Sequence, residues 1–245
     1  MSAATRWIVK PYFRDSALAR ARGLRYKVAV RVVLIAAKQL ALAKTRLAPA
    51  LPSNTERANL ATAMFQDVLS AALSSRLADS VAVVTSDSAL LGMAERSGAL
   101  TINEEFPRGL NVAVALATEH LKQAGVRTTC TILSDIPLVT GEDIDTSFAA
   151  EEELGQGVVL VPSRDFSGTN MMVRTPLDAI ATQFGRLSLV RHRESCRESG
   201  IACKVVRLIR PALDLDVPED LIEFARSSSM THTYAHLARL GMLHD

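Results

Sequence analysis

The sequence predicts a single α/β domain with a Rossmann-like, mainly parallel mixed sheet flanked by helices. Three observations carry that expectation. Apolar runs of strand length alternate along the chain with segments of helical periodicity. The first run, Val28 to Ala36, is continuous apart from Arg31, as in strands buried on both faces. The 245 residues, 48% hydrophobic and 22% charged, supply enough apolar side chain for one core.

The elements follow in order. After the first strand, Pro52-Ser53 opens a helix, with Ser53 and Glu56 at capping-box spacing. Its apolar stripe is Leu60, Met64, Val68 and Ala72, with Ala61, Phe65, Leu69 and Leu73 beside it. Val81 to Val84 is the second strand, Ser86 to Ser97 a helix closed by Gly98, and Ala99 to Ile102 a short strand. Leu110 to Lys122 is a helix, Thr128 to Leu133 a strand, and Thr140 caps a short helix. Gly157 to Val161 is a strand with Asn170 to Val173 as its partner. Ser188 to Ser199 is a helix, Cys203 to Leu208 a strand, Pro218 to Arg226 a helix, and a last helix starts near Thr231. In that last segment Tyr234, Leu237, Leu240 and Leu243 suit either a core or an interface.

Composition excludes several classes. No apolar run approaches the ~20 residues that cross a bilayer. At 4% aromatics the chain lacks base-stacking platforms for nucleic acid. Residues 1–27 hold seven basic residues against Asp15, a charge of +6, while the rest carries 21 basic and 25 acidic residues, or −4. We therefore divide the chain into a basic extension, 1–27, and a domain, 28–245. The extension is Arg-rich like some targeting segments, but it lacks the apolar centre of a secretory signal, and a basic tail or an added helix is the better reading. Cys130, Cys196 and Cys203 make no disulfide framework, and His192 with Cys196 lacks two further zinc ligands. A cytoplasmic protein is the expectation.

The ligand site of such a sheet lies at the strand carboxyl ends. There is no Gly-x-Gly-x-x-Gly, no Gly-x4-Gly-Lys-Ser/Thr and no Gly-x-Ser-x-Gly. Instead Lys38, Lys44 and Arg46 follow the first strand, a set able to neutralise a polyphosphate, although loop cations are often merely solvated. Asp135 ends a buried strand, where it serves equally as a metal ligand or a turn residue. In the extended Leu213-Asp214-Leu215-Asp216 the two carboxylates share one side, a paired set of hard ligands for Mg2+, while Asp216 also suits a cap before Pro218. Ser163 to Asn170 is small, polar and able to wrap an anion. Gly185 and Ser188 stand at the start of a helix, a natural anion site where Ser188 also suits an N-cap, and Asn111 follows Gly109-Leu110 at another, either as a cap or as a nucleotide contact.

These segments together resemble the 2-phospholactate guanylyltransferase family, which begins side-chain assembly of the deazaflavin coenzyme F(420). They are Ala-Lys-x-Arg-Leu at 43–47, Gly-Leu-Asn at 109–111, Asp-Ile-Pro at 135–137, Gly-Thr-Asn at 168–170, Phe-Gly-x-x-Ser at 184–188 and Leu-Asp-Leu-Asp at 213–216, all in family order. The resemblance implies a nucleotidyltransferase fold. It implies GTP and a small phosphorylated acid (2-phospholactate, phosphoenolpyruvate or 3-phosphoglycerate) as substrates, with handover of the product to the next transferase of that pathway. It implies Mg2+ on Asp135, Asp214 and Asp216, catalysis by these with Lys44, acid binding by Thr169, Asn170, Gly185 and Ser188, and nucleotide binding by Lys38, Arg46 and Asn111. Two departures, Val217 for the usual Thr and Phe166-Ser167 for a Gly-richer run, fall beside the acid pocket. The competing readings are a cytidylyl- or sugar-nucleotidyltransferase and a silent nucleotide-binding protein.

Overall fold

The computed structural model describes residues 30–227 and 229–243. The basic extension 1–27 lies outside them.

Seven strands form one sheet: β1 (Arg31–Ala36), β2 (Ser80–Thr85), β3 (Leu100–Asn103), β4 (Thr128–Leu133), β5 (Gly157–Pro162), β6 (Thr169–Thr175) and β7 (Cys203–Val205). Their order is β3-β2-β1-β4-β6-β5-β7. All pairings are parallel except those of β6, which runs antiparallel to both β4 and β5. The helices are α1 (Asn54–Ser74), α2 (Ser88–Arg96), α3 (Leu110–Gln123), α4 (Gly141–Leu154), α5 (Ser188–Glu198), α6 (Pro218–Ala225) and α7 (His232–Arg239).

The pleat of β1 explains the layering. Val33 and Ile35 enter one apolar layer with Phe65 and Val68 of α1, Leu90 of α2 and Phe148 of α4. Val32 and Leu34 face the opposite layer with Val114 and Ala117 of α3 and Leu189 of α5. Both faces are buried, so the run is continuously apolar. A third cluster joins Leu47, Leu60, Met64, Leu213, Leu215, Phe224 and Leu237. It seats α6 and α7 against α1, so the apolar C-terminal helix is core here, with Leu237 fully buried.

Two expected elements differ in length. The helix after Thr140 is not short but runs 14 residues: Thr140 and Asp143 complete a capping box at its start, and Ile144, Phe148 and Ala150 bury its inner face along the length. The strand from Cys203 ends at Val205, and Val206 donates the last bond to Leu160 just before β5 bulges at Val161/Pro162.

β2 and β3 extend the sheet to one side of β1, and β4 starts the other side. The order of strands therefore reverses between β1 and β4, whose last residues, Ala36 and Leu133, are register partners. A crevice must open above that pair. Because β6 is antiparallel, its first residues, Thr169 and Asn170, arrive at this same edge.

Candidate active site

A cleft of about 640 Å3 occupies the crevice. Its walls include Lys38, Lys44, Arg46, Asp135, Thr169, Asn170, Gly185, Ser188, Asp214 and Asp216. Of the residues singled out in the sequence, only Asn111 stands behind the wall. Its amide accepts from Phe184 N at 2.7 Å and donates to Phe184 O at 3.1 Å. In this state Asn111 is neither a helix cap nor turned to the cleft; it clamps the loop that carries Gly185. Asn111→Ala is expected to cost about 1–2 kcal/mol and to speed amide hydrogen exchange at 184–186. Unchanged exchange there would remove the clamp.

Apolar anchors place the charged groups. After β1 the chain makes two single 3-10 turns, and Leu47 of the second is fully buried in the third cluster. Leu213 and Leu215 enter the same cluster, which turns Asp214 and Asp216 the other way, toward the cleft. Leu215 N donates to Asp135 O at 3.0 Å, tying the aspartate segment to the end of β4. Each fully buried Leu is worth about 1.5–3 kcal/mol, enough to hold like charges near one another. Asp216 does not cap α6. Asp220 takes that task, its Oδ2 accepting from both Asp216 N and Val217 N at 2.9 Å. The Asp216 carboxylate is thereby spared for contacts in the cleft.

Lys44 is the electrostatic centre. Its Nζ lies 2.8 Å from Asp135 Oδ2 and 2.8 Å from Asp216 Oδ1, and its side chain is 7% exposed. Burial alone would favour the neutral amine, but Asp135 and Asp216 outweigh it and hold the ammonium above the ordinary lysine value. Burial likewise opposes charge on Asp216, yet Lys44, Lys38 and Arg46 keep its carboxyl below the ordinary range. Asp214 has no such partner. Burial first, and then Asp135, push its carboxyl up to about 6, and an Asn170 amide at 3.3 Å only partly offsets this.

Among the described residues no three His, Cys, Asp or Glu side chains stand ready as a metal cluster. The expected three-aspartate set is not assembled as such, because the Lys44 ammonium stands between Asp135 and Asp216. Two observations still fit a cation. Asp135 Oδ1 is buried without a hydrogen-bond partner, and Asp214 lacks compensating positive charge.

The start of α5 also borders the cleft, through Gly185, Arg186 and Ser188. Gly185 adopts φ +116°, which demands glycine. Ser188 is the first helical residue, and Leu187 precedes it in left-handed backbone, so Ser188 is not the cap expected of it. Its hydroxyl is buried and without a partner. Thr169 Oγ1 lies 3.1 Å from His192 Nδ1. The non-glycine residues with positive φ among those described, Lys44, Phe166 and Leu187, all lie in loops bordering the cleft. Each stores about 1–2 kcal/mol of backbone strain. At Phe166, φ +59°, the aromatic ring stacks under Arg207 at 4.7 Å.

Sequence reasoning missed Arg164, Asp165 and Arg186, which also line the cleft. All three lie inside segments already singled out, and Arg186 directly follows Gly185. It also missed His192, whose position four residues after Ser188 puts it on the same helix face.

The profile of the family described as "Guanylyl transferase CofC like" matches residues 31–244. The chain belongs to this CofC-like family. Relatives include a phosphoenolpyruvate guanylyltransferase of Sphaerobacter thermophilus, 34% identical over 79% of this chain and 92% of the relative. A 3-phospho-D-glycerate guanylyltransferase of Phenylobacterium zucineum is 36% identical over 75% of this chain and 84% of its own. A 2-phospho-L-lactate guanylyltransferase of Methanothermobacter thermautotrophicus is 34% identical over 81% and 85%. Among solved structures, a protein classed as a nucleotide-diphospho-sugar transferase from Desulfovibrio desulfuricans G20 superposes with a TM-score of 0.67, at 19% identity, covering 87% of this chain and 96% of that one. At that identity the likeness concerns the fold. The CofC-like domain thus has the nucleotidyltransferase fold anticipated from its strand and helix order. No helix among the described residues is long and apolar enough to cross a membrane.

Proposed function

We propose that this CofC-like protein transfers GMP from GTP to a small phosphorylated carboxylic acid, releasing pyrophosphate, as a cytoplasmic step of coenzyme F(420) assembly. The acid is 2-phospholactate, phosphoenolpyruvate or 3-phosphoglycerate, and the product passes to the next transferase. The observation that supports this most is the convergence in one cleft of two unlike sets of residues. One holds Lys38, Lys44 and Arg46 with three aspartates; the other holds the α5 N-terminus with two buried hydroxyls. The first suits a triphosphate, the second a small anion.

The chemistry needs no covalent enzyme intermediate. With a second pKa near ~6 the phosphate of the acid is already largely dianionic at neutral pH. One of its oxygens forms a bond to the α-phosphorus of GTP as the α–β phosphoanhydride breaks, and pyrophosphate takes the electron pair. No proton has to move, so a general base is superfluous. The barrier is the approach of two anions, and the protein lowers it with positive charge and alignment. Lys38 and Arg46 hold the triphosphate. Lys44 meets the charge that develops on pyrophosphate. Gly185, Ser188, Thr169 and Asn170 fix the acid. Asn111 supports the acid side indirectly, through the Phe184 loop that carries Gly185. Asp135, through its unpartnered Oδ1, with Asp214 and Asp216 would hold Mg2+, which needs only one or two carboxylates when phosphate oxygens complete its shell. Bound there, the ion would supply neutralisation of the phosphates.

The test offers four NTPs against the three acids, with Mg2+, pyrophosphatase and a downstream acceptor. Pyrophosphate forms only with GTP and one acid. Chelation abolishes it, and excess Mg2+ restores it. Turnover with CTP and a sugar phosphate instead would replace this reading with the cytidylyl one, and GTP binding without turnover would leave a silent binder.

A further inference from the structure

We infer that His192 is a positioning residue of the acid subsite, locking the Thr169 hydroxyl as a donor into the cleft and fixing the loop before Gly185. The inference rests on the proposed assignment of Thr169, Gly185 and Ser188 to the acid.

The argument is one of hydrogen-bond accounting. His192 is fully buried, on the inward face of α5 one turn after Ser188. Gln183 N donates to its Nε2 at 2.8 Å. A backbone N–H can only donate, so Nε2 must present its lone pair. A neutral imidazole carries one proton, and here that proton has to sit on Nδ1. Nδ1–H therefore donates to Thr169 Oγ1, 3.1 Å away. A protonated ring would set Nε2–H against Gln183 N–H, donor against donor. Burial first, and then Arg174 and Arg191, push the imidazole down to about 4, in keeping with a ring that stays neutral. The edge of Phe184 packs on the ring at 5.3 Å between centroids and 76° between planes.

The consequence falls on Thr169. Its Oγ1 accepts from His192, and its own proton finds no acceptor among the described residues. Thr169 is 2% exposed and lines the cleft, so that proton is offered to whatever anion binds there. Ser188 offers its unpartnered hydroxyl from the same helix face. One imidazole thus ties β6, which carries Thr169, to the loop carrying Gly185, the two halves of the subsite. The Asn111 clamp on Phe184 holds that loop from the other side.

Three variants separate the two contacts. The amide nitrogen of His192→Asn stands near the place of Nδ1 and keeps the donor to Thr169. His192→Gln reaches the place of Nε2 and keeps only the acceptor for Gln183. His192→Phe keeps the ring and loses both. We expect the KM for the acid to rise about tenfold in His192→Phe, the loss of one to two hydrogen bonds, with the KM for GTP within about twofold. His192→Asn recovers most of the loss. Thr169→Val costs about tenfold in the wild type but little more on top of His192→Phe. In parallel, 15N–1H correlation spectra of the imidazoles, with His192 identified among the five histidines by its absence from His192→Asn, should show Nδ1 protonated and Nε2 bare at neutral pH. A proton on Nε2 would overturn the inference whether or not His192→Phe folds. So would an equal rise in both KM values, the mark of a merely structural role. A rise in the KM for GTP alone, with the tautomer as described, would overturn both the acid assignment of this subsite and the positioning role built on it. Only the ring contact would then stand.

Discussion

An Asp214→Asn enzyme turns over about a hundredfold or more slowly than the wild type, yet it melts at a higher temperature at pH 8. Both effects have one cause. Asp214 sits among carboxylates with too little positive charge, and burial followed by Asp135 raises its carboxyl from 3.8 to about 6. A raised carboxyl costs stability when it ionises. Below about pH 4 the group is protonated folded or unfolded and costs nothing. The cost grows between about pH 4 and 6, where only the unfolded chain has released the proton, and is constant above that. For a shift of this size it is about 2–3 kcal/mol, or ~5 °C or more in melting temperature for a domain of this length. Asparagine removes the charge while its amide oxygen still accepts from Asn170. The two proteins should therefore melt alike near pH 4 and diverge by pH 8. Adding Mg2+ with GTP should close the gap by stabilising the wild type. A thermal melt series in parallel with pyrophosphate release checks both halves. Near-full turnover by Asp214→Asn would sink its catalytic role, and identical melts at pH 8 would sink the electrostatic account of its cost.

Lys44→Met is expected to lose about a hundred- to a thousandfold in rate, the range for removing one preorganised charge from a developing anion. Stability falls as well. Truncating one partner of a buried pair strands the other charge. Asp216 is 42% exposed and Asp135 22%, so water takes up part of that cost, and about 1–3 kcal/mol is the expectation. The sign of the pH dependence differs from that of Asp214. A raised lysine contributes fully at every pH below its ordinary 10.5 and loses that contribution only above it. The destabilisation by Lys44→Met should therefore be flat between pH 6 and 9. With the ammonium gone from between Asp135 and Asp216, the free protein should also bind Mg2+ more tightly, which calorimetry measures directly. Unchanged Mg2+ affinity would mean that the ammonium and the ion do not compete for those oxygens.

How much of this was legible beforehand varies by element. The continuous run ending at Ala36 announced a strand buried on both faces, and Ser53, Gly98 and Pro218 marked helix ends through their own backbone chemistry. The alternation Leu213-Asp214-Leu215-Asp216 already separated an apolar side from a charged one. Such signals are local, since a residue's periodicity and capping depend only on its near neighbours.

Other features required the fold. Ser188 suits an anion contact or a cap and Asn111 a cap or a nucleotide contact, but the cap before α5 is Leu187, and Asn111 spends its amide on Phe184, 73 residues away. Asp216 yielded the capping task to Asp220. His192 looked like an ordinary helix residue because Gln183 meets it only through the fold of the loop before α5, and Thr169 only when β6 runs antiparallel and returns its first residues to the ligand edge. Lys44, Asp135 and Asp216 are separated by 91 and 172 residues along the chain, and nothing local tells a lysine that it will be buried between them. The sequence by itself determined which residues form strands and helices and which faces are apolar. The order and direction of strands decided which charges meet, because that meeting is set by long-range packing and its strength by the burial that packing creates.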